Sequence, residues 1–289
     1  MVYYLFVMNG KIAYLKSSKL SNSPINEFCN LANPFGVDFA VENFDADALT
    51  SEDLSKLSLF DAIIVSSSAN LNSSVLDTVA TRLNLYAKCV FKNTDFSNLT
   101  GSNLAIVSDV AAFENGGFGT SQEFGRQAFD TLRYSELEIE RTARIAFELA
   151  EKRAHALTLA DAMQTRNTTA LWRKIVSDIN EDYTSVHLEL EGIFDVTKAL
   201  AARKEYDVIL TSCSQFDALS GVADAFSPLG DGTSTVAYLG ETTVGLYATE
   251  QPAVYVPLFD MLALSKMLEL SFDLPELLKA WQSKIKDFA

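Results

Sequence analysis

The residues that most often perform catalysis or bind metals are scarce in this sequence. Histidine occurs twice, at His155 and His187, and cysteine three times, at Cys29, Cys89 and Cys213. Catalytic triads need an imidazole base and histidine-rich metal centres need several imidazoles, so both are nearly excluded. No C-x-x-C pair occurs, which argues against a zinc knuckle and a disulfide framework. Unpaired cysteines fit a reducing compartment, so we expect a cytoplasmic protein.

A glycine-rich run at Asn115–Gly119 is the other segment with a chemical interpretation, because such runs can bind phosphate. It lacks the third glycine of a dinucleotide fingerprint and does not lie between a strand and the start of a helix. The run is therefore predicted to be a turn.

The composition limits the class of protein to which these residues belong. The 289 residues carry 23 basic and 38 acidic side chains, a formal charge of −15, which disfavours binding to nucleic acid or to anionic membranes. A hydrophobic content of 48% excludes disorder, and the length predicts about two domains. The apolar start is too short for a signal peptide or membrane span, and predicts a strand over Val2–Val7 that enters a hairpin turn at Asn9-Gly10.

Strand-like segments alternate with helical ones, which predicts an α/β class. The strand-like segments are Val2–Val7, Ala13–Leu15, Asp61–Val65, Leu104–Val107, His187–Leu190 and Asp207–Thr211. The clearest helix, from Glu136 to about Ala154, opens with Ser135 and Glu138, a capping box. Further helices are predicted at about 170–180, at about 258–270 and after Pro275, whereas 228–245 is predicted to connect two domains.

Short motifs follow one another in a specific order between Asp61 and Phe272. They are Asn115-Gly116-Gly117, Phe129–Ser135, Ile139-Glu140-Arg141, Ala143–Phe147, Leu171-Trp172-Arg173, Asp182-Tyr183, Tyr206–Ile209, Phe216–Ser220, Gly245-Leu246-Tyr247, Met267-Leu268 and Ser271-Phe272. In this order they resemble the β-decarboxylating dehydrogenases, in particular 3-isopropylmalate dehydrogenase and its isocitrate relatives.

The resemblance implies an isopropylmalate dehydrogenase-like two-domain α/β fold with a discontinuous first domain. Residues 1–95 and 246–289 would form the first domain, and 96–245 a second domain with the dimerisation helices. The family's reaction oxidises a 2-hydroxy acid with NAD or NADP and then releases carbon dioxide, assisted by Mg²⁺ or Mn²⁺. The resemblance also implies a homodimer with shared sites, and apolar positions at Leu200, Leu219, Val222 and Phe226 are expected on the dimerisation helices.

Carried over residue by residue, the family's catalytic set is incomplete. The catalytic tyrosine corresponds to Tyr134, and two of the three metal-binding aspartates correspond to Asp195 and Asp217. The third aspartate corresponds to Gly221, and the proton-transfer lysine to Ala162. We therefore expect the chemistry of this family to be impaired, because alanine cannot carry a proton.

The substrate and nucleotide contacts of the family are also reduced. The three substrate arginines correspond to Ala80, Val90 and Ser108, none of them cationic. The adenosine loop is shortened to about 248–255, with Glu250 as the one acidic anchor, so the cofactor-binding residues stay unknown.

Each retained residue also has a structural interpretation. Tyr134 could pack against its surroundings with its hydroxyl bonded to backbone, and the two aspartates could be a helix cap and an exposed charge. The leading hypothesis is a non-catalytic family member that acts as a binding, regulatory or partner subunit, with no cofactor expected. One alternative is an active NAD(P)-dependent, metal-assisted oxidoreductase of altered specificity on a 2-hydroxy acid. Another is a heteromer with a catalytic paralogue.

Overall fold

The computed structural model describes residues 8–17, 23–69, 73–92, 104–110, 113–121, 125–162, 167–225, 234–241, 245–249, 257–272 and 274–288. Over these residues strands and helices alternate, with twelve strands and nine α-helices. The α/β class predicted from the sequence is confirmed. None of the helices in these ranges is long and apolar enough to cross a membrane.

The strands are β1 (Met8–Lys16), β2 (Val37–Asp45), β3 (Ala62–Val65), β4 (Ala87–Lys92), β5 (Leu104–Asp109), β6 (Phe113–Ser121), β7 (Gly125–Leu132), β8 (Ala156–Asp161), β9 (His187–Gly192), β10 (Val208–Leu210), β11 (Thr235–Leu239) and β12 (Gly245–Thr249). The α-helices are α1 (Ser23–Ala32), α2 (Ser51–Leu57), α3 (Ser73–Arg82), α4 (Glu136–Glu151), α5 (Asn167–Asn180), α6 (Ile193–Ala201), α7 (Cys213–Asp224), α8 (Pro257–Met267) and α9 (Pro275–Phe288).

The chain divides into two compact units. The first comprises Met1–Ala105 and Ala223–Ala289, and the second Ile106–Val222. The expected domain boundaries after residues 95 and 245 stay a prediction. β11 lies in the first unit because it is hydrogen-bonded antiparallel to both β4 and β12. It falls within the segment expected to be only a connection, so that interpretation was wrong for Thr235–Leu239.

In the first unit the strand order is β2-β1-β3-β12-β11-β4. β1 runs parallel to β2 and β3, and β12 runs parallel to β3. Every residue of β3 and β4 is buried, which explains the continuous apolar runs in both strands.

The expected hairpin turn at Asn9-Gly10 was wrong. Both residues belong to β1, where Asn9 pairs with Asp38 and Gly10 with Phe39 of the parallel strand β2. A Cβ atom on Gly10 would lie 2.8 Å from the Phe39 ring, so this glycine permits close packing inside a sheet rather than a turn. The strand expected over 2–7 lies outside the described residues.

In the second unit the strand order is β5-β10-β8-β9, and β8 runs parallel to both β10 and β9. The capping box predicted at the start of α4 is confirmed, with Ser135 accepting from the Glu138 N–H and Glu138 accepting from the Ser135 N–H. The apolar stripe of α4 is buried, and it comprises Ile139, Ala143, Ala146, Leu149 and Ala150.

The glycine-rich run that was expected to form a turn is part of a strand. β6 pairs antiparallel with β7 as a separate two-stranded sheet, in which Gly116 lies opposite Asp130 and Gly117 opposite Phe129. The register shifts between Phe113 and Asn115, and glycine in a strand is typical of such an irregularity. The strand pairing therefore overrides the local turn preference.

Candidate functional site

A concave pocket in the second unit, called here the Tyr134 pocket, has about 30 Å³ of space open to water-sized molecules. It lies at the carboxyl ends of β8 and β10, the edge at which parallel α/β sheets commonly bind ligands. The lining residues are Leu132, Tyr134, Leu159, Ala160, Asp161, Ala162, Thr168, Thr169, Trp172, Ser212, Ser214 and Gln215.

Tyr134 reaches this pocket because it lies between two regular elements. It follows β7 and precedes Ser135, the residue that caps α4. The side chain is buried, and its ring contacts the Trp172 ring edge-to-face, with the ring centroids 5.3 Å apart. Packing therefore fixes the orientation of the phenol.

The Tyr134 hydroxyl donates toward a buried carboxylate. It lies 3.3 Å from each oxygen of Asp109 and 3.5 Å from the Cys213 Sγ, and the Cys213 N–H also donates to Asp109 at 3.0 Å. Burial raises the pKa of Asp109, while the hydrogen bonds from Cys213 and Tyr134 partly oppose this rise. Burial and the charge of Asp109 raise the pKa of Tyr134, so the phenol keeps its proton at neutral pH.

Asp161 is the second carboxylate at this pocket, and its charge is matched by an arginine. Arg173 donates from Nη2 to Oδ1 at 3.0 Å and from Nε to Oδ2, a two-point contact. The hydrogen bonds that Arg173 donates to Asp161 raise the pKa of Arg173, so its guanidinium keeps its charge. Among the described residues that line the pocket there is no lysine, arginine or histidine.

Two residues that line the pocket each carry a buried polar atom with no hydrogen-bond partner among the described residues. These atoms are the Nε1 of Trp172, a donor, and the Oε1 of Gln215, an acceptor. The sequence indicated Trp172 as part of the Leu171-Trp172-Arg173 motif and did not single out Gln215. No local signal marks them, because the pairing of a polar atom depends on residues distant in sequence.

The structure brings Tyr134 and Ala162 to the same pocket, but neither predicted metal ligand lines it. Asp195 lies in the first turn of α6, exposed and 3.8 Å from Lys198. Asp217 is exposed on α7, and a Cβ on Gly221 would contact nothing within 4 Å. The described residues contain no group of three or more acidic, histidine or cysteine side chains that could hold a metal. These residues therefore do not fit a divalent metal site within one chain.

The other positions carried over from the family lie mostly inside the protein. Ala80, Val90 and Ser108, the expected arginine positions, are all completely buried. Glu250 and Phe226 lie outside the described residues. Leu200 and Leu219, expected on the dimerisation helices, are buried within the chain itself, so they pack in its own core.

Comparison with known proteins finds a family match in the middle of the chain. Residues 113–248 match the family model described as isocitrate/isopropylmalate dehydrogenase. This part of the chain is similar to that family. The resemblance identified from the order of the motifs is thereby confirmed.

Individual relatives agree with this assignment. The chain is 37% identical over 123 residues to a 3-isopropylmalate dehydrogenase of Burkholderia multivorans, covering 42% of this chain and 34% of that protein. It is 32% identical over 169 residues to a 3-isopropylmalate dehydrogenase of Pseudomonas fluorescens, covering 55% of this chain and 47% of that protein. The matches thus span between a third and a half of the relatives' length.

Solved structures extend the similarity of fold to almost the whole chain. An isocitrate dehydrogenase of Methylococcus capsulatus superposes with a TM-score of 0.72 at 20% identity, covering 96% of this chain and 91% of that one. A β-decarboxylating dehydrogenase of Thermococcus kodakarensis superposes with a TM-score of 0.68 at 18% identity, covering 96% of each chain. The predicted isopropylmalate dehydrogenase-like fold class is confirmed.

Proposed function

We propose that this protein is a non-catalytic relative of the isopropylmalate and isocitrate dehydrogenases that acts as a binding, regulatory or partner subunit. One observation carries the proposal: the pocket is lined by Ala162, which the family resemblance assigns to the proton-transfer lysine, and by no cationic side chain among its described lining residues. Among the described lining residues, Tyr134 is the only one that corresponds to a catalytic residue of the family.

Proton transfer is the first step that this pocket cannot support well. Loss of a positioned general acid or base lowers a rate by roughly 100-fold to 10,000-fold. The Tyr134 hydroxyl does not replace it, because its proton points toward Asp109 and its pKa is raised by burial. Oxidation of a 2-hydroxy acid would therefore lack a base at the right place.

Substrate binding is the second step that is weakened. A substrate with two carboxylates needs guanidinium or ammonium partners, and an unpaired buried charge costs several kcal/mol, on the order of 2 to 5. The carboxylate of Asp161 lines the pocket and Arg173 already contacts it on both oxygens. A dianionic substrate would find no unpaired cation among the described lining residues.

Metal and nucleotide binding follow the same pattern. Asp195 and Asp217 are both exposed, and Gly221 supplies no third carboxylate. We infer weak or absent binding of Mn²⁺ and of NAD, because little interaction energy remains to offset desolvation and ordering. Calorimetric titration that gives a micromolar dissociation constant for either one would contradict this part of the proposal.

The alternative, an active NAD(P)-dependent oxidoreductase of altered specificity, draws support from Tyr134, which lies at the pocket. The assay that separates the two is formation of reduced nicotinamide from 3-isopropylmalate or isocitrate with Mn²⁺. We expect no turnover by the wild type or by Ala162→Lys, since binding and chemistry fail separately. Ala170→Lys, the same change at an exposed position of α5, controls for added charge. Turnover by the wild type would overturn the proposal, and rescue by Ala162→Lys alone would show that substrate binding is intact.

A further inference from the structure

A buried carboxylate, Asp109, joins three elements of the second unit. It is the last residue of β5 and is only 6% exposed. It accepts from the hydroxyl of Tyr134, which lies between β7 and α4, and from the backbone N–H of Cys213, the first residue of α7. The first N–H groups of a helix have no acceptor within that helix, so Asp109 supplies the acceptor that Cys213 needs.

The groups that face Asp109 carry no positive charge. Tyr134 and Cys213 are the titratable ones, and both donate hydrogen bonds to it. Arg133, next to Tyr134, is exposed and its charge acts on Glu138 instead. Among the described residues, Asp109 therefore has no cation that offsets the loss of water around its carboxylate.

The proton on Asp109 is coupled to the arrangement around it, called closed here. The other carboxylate at this site, Asp161, is neutralised by Arg173, whereas burial of Asp109 outweighs its hydrogen bonds and raises its pKa. If the surroundings open and water reaches the carboxylate, its pKa returns toward the ordinary value of 3.8. The closed arrangement thus binds the proton more tightly, and a rise in pH favours opening by at most about tenfold per pH unit.

The residues around Cys213 form one wall of the Tyr134 pocket. Ser212, Ser214 and Gln215 all line it. In the closed arrangement the pocket has about 30 Å³ of space open to water-sized molecules, far below the roughly 300 to 1,000 Å³ of ligand pockets. A wall must move before a larger molecule can enter, and Asp109 holds this wall through the Cys213 N–H.

We propose that Asp109 is a pH-sensitive latch on the first turn of α7. With its proton, Asp109 holds this turn near the end of β5. Loss of the proton favours release of the turn and opens the Tyr134 pocket. This inference goes beyond the proposed function and does not depend on it, because it concerns access to the pocket and not the chemistry inside.

Amide hydrogen exchange of the full chain, followed by ¹⁵N–¹H NMR and corrected for the intrinsic exchange rate at each pH, measures the opening. Protection of the Cys213 N–H should fall by at least about threefold from pH 5 to pH 7. The Gln215 N–H donates to the Ser212 carbonyl at 3.0 Å and not to Asp109, so it reports on the whole turn. Its protection should fall by a similar factor.

A second amide of the same unit provides an internal control. The Ala154 N–H donates to the carboxylate of Asp207 at 2.8 Å, and Arg153 pairs with that carboxylate. Because this charge is already matched, protection of the Ala154 N–H should stay constant over the same pH range.

Three variants test the role of the proton. Asp109→Asn has no proton to lose in this range, so protection of the Cys213 N–H should no longer depend on pH. Asp217→Asn, at an exposed carboxylate of the same helix, should keep the wild-type dependence. Tyr134→Phe removes a donor that stabilises the Asp109 carboxylate, so the fall in protection should extend to higher pH.

The comparison of amides needs only the wild type, so a variant that fails to fold does not prevent the test. The latch is overturned if protection of Cys213 stays constant or rises with pH, or if Gln215 keeps its protection while Cys213 loses it. It is also overturned if Ala154 loses protection by the same factor, or if folded Asp109→Asn shows the wild-type dependence.

Discussion

At the scale of single residues, burial and hydrogen bonding act in opposite directions on Asp109. Burial favours its protonated form, whereas donation from Tyr134 and from the Cys213 N–H favours the carboxylate. Burial is the larger effect, so the pKa of Asp109 is raised above its ordinary value of 3.8. The hydrogen bonds to Asp109 are therefore not enough to offset its desolvation.

The raised pKa predicts how stability depends on pH. Between the unfolded and folded pKa values of Asp109 the folded state binds more protons, so its contribution to the free energy of unfolding falls as pH rises. Asp109→Asn removes this titration. We expect the stability difference, wild type minus variant, to be larger at pH 4 than at pH 7 in urea unfolding. The stability difference between the wild type and Asp217→Asn, a change at an exposed carboxylate, should vary less between the two pH values. For Asp109→Asn, a stability difference that grows with pH would contradict the raised pKa of Asp109.

At the scale of elements, one carboxylate ties α8 to the ends of two strands. Asp260 is completely buried and accepts from the Tyr14 hydroxyl at 2.6 Å, the Ser66 hydroxyl at 2.7 Å and the Ser67 N–H at 2.7 Å. The Ser67 hydroxyl adds a fourth hydrogen bond at 2.9 Å. Tyr14 belongs to β1, and the two serines follow β3.

Removal of this carboxylate should destabilise the first unit strongly. Asp260→Ala leaves several donors in the core without an acceptor, and such losses cost about 3–5 kcal/mol. The free energy of unfolding from urea denaturation measures the effect. Asp38→Ala, at an exposed position of β2, should change it by no more than about 0.5 kcal/mol. If Asp260→Ala lowers the free energy of unfolding by less than about 1 kcal/mol, the hydrogen bonds to Asp260 do not stabilise the first unit as expected.

Elements with a strong local signal could be predicted from the sequence, and those set by tertiary pairing could not. The capping box at Ser135 predicted the start of α4. The 3.6-residue apolar period predicted its buried face. Asn9-Gly10 and Asn115–Gly119 have the composition of turns, yet both lie in strands. In each case hydrogen-bonded pairing with another strand outweighs the local preference of glycine.

The candidate site was predictable only where a family motif marked it. Tyr134 was identified from its motif before α4, and it does lie at a pocket. Asp109 and Arg173 were not assigned a role, because each acquires one through a partner outside its own element. Asp195 and Asp217 follow the motif, but they are exposed and line no part of this pocket.

At the scale of the whole molecule, we propose a homodimer formed by the second unit. Its exposed large apolar side chains include Leu137 at 65% exposure, Leu190 at 41% and Phe194 at 72%. Leu190 lies on β9, the last strand in the order of that unit, and Phe194 is the second residue of α6, which directly follows β9. Such side chains are typical of surfaces that pair with a second copy.

Light scattering should therefore give twice the chain mass of 31.7 kDa at tens of micromolar. Phe194→Asp introduces a charge at the proposed interface and should shift the mass toward that of a monomer. Leu59→Asp makes the same kind of change at a side chain of the first unit that is 71% exposed, and it should leave the dimer intact. A wild-type protein with the mass of a single chain would refute the homodimer.

We propose that this pocket does not perform the dehydrogenase reaction of its relatives. A single-turnover experiment tests this proposal. With enzyme in excess over 3-isopropylmalate or isocitrate, and with Mn²⁺ and either NAD or NADP saturating, even very slow chemistry produces a measurable fraction of one turnover. We expect no reduced nicotinamide and no carbon dioxide above the amounts in a protein-free control. Stoichiometric formation of both products by the wild-type protein would contradict it.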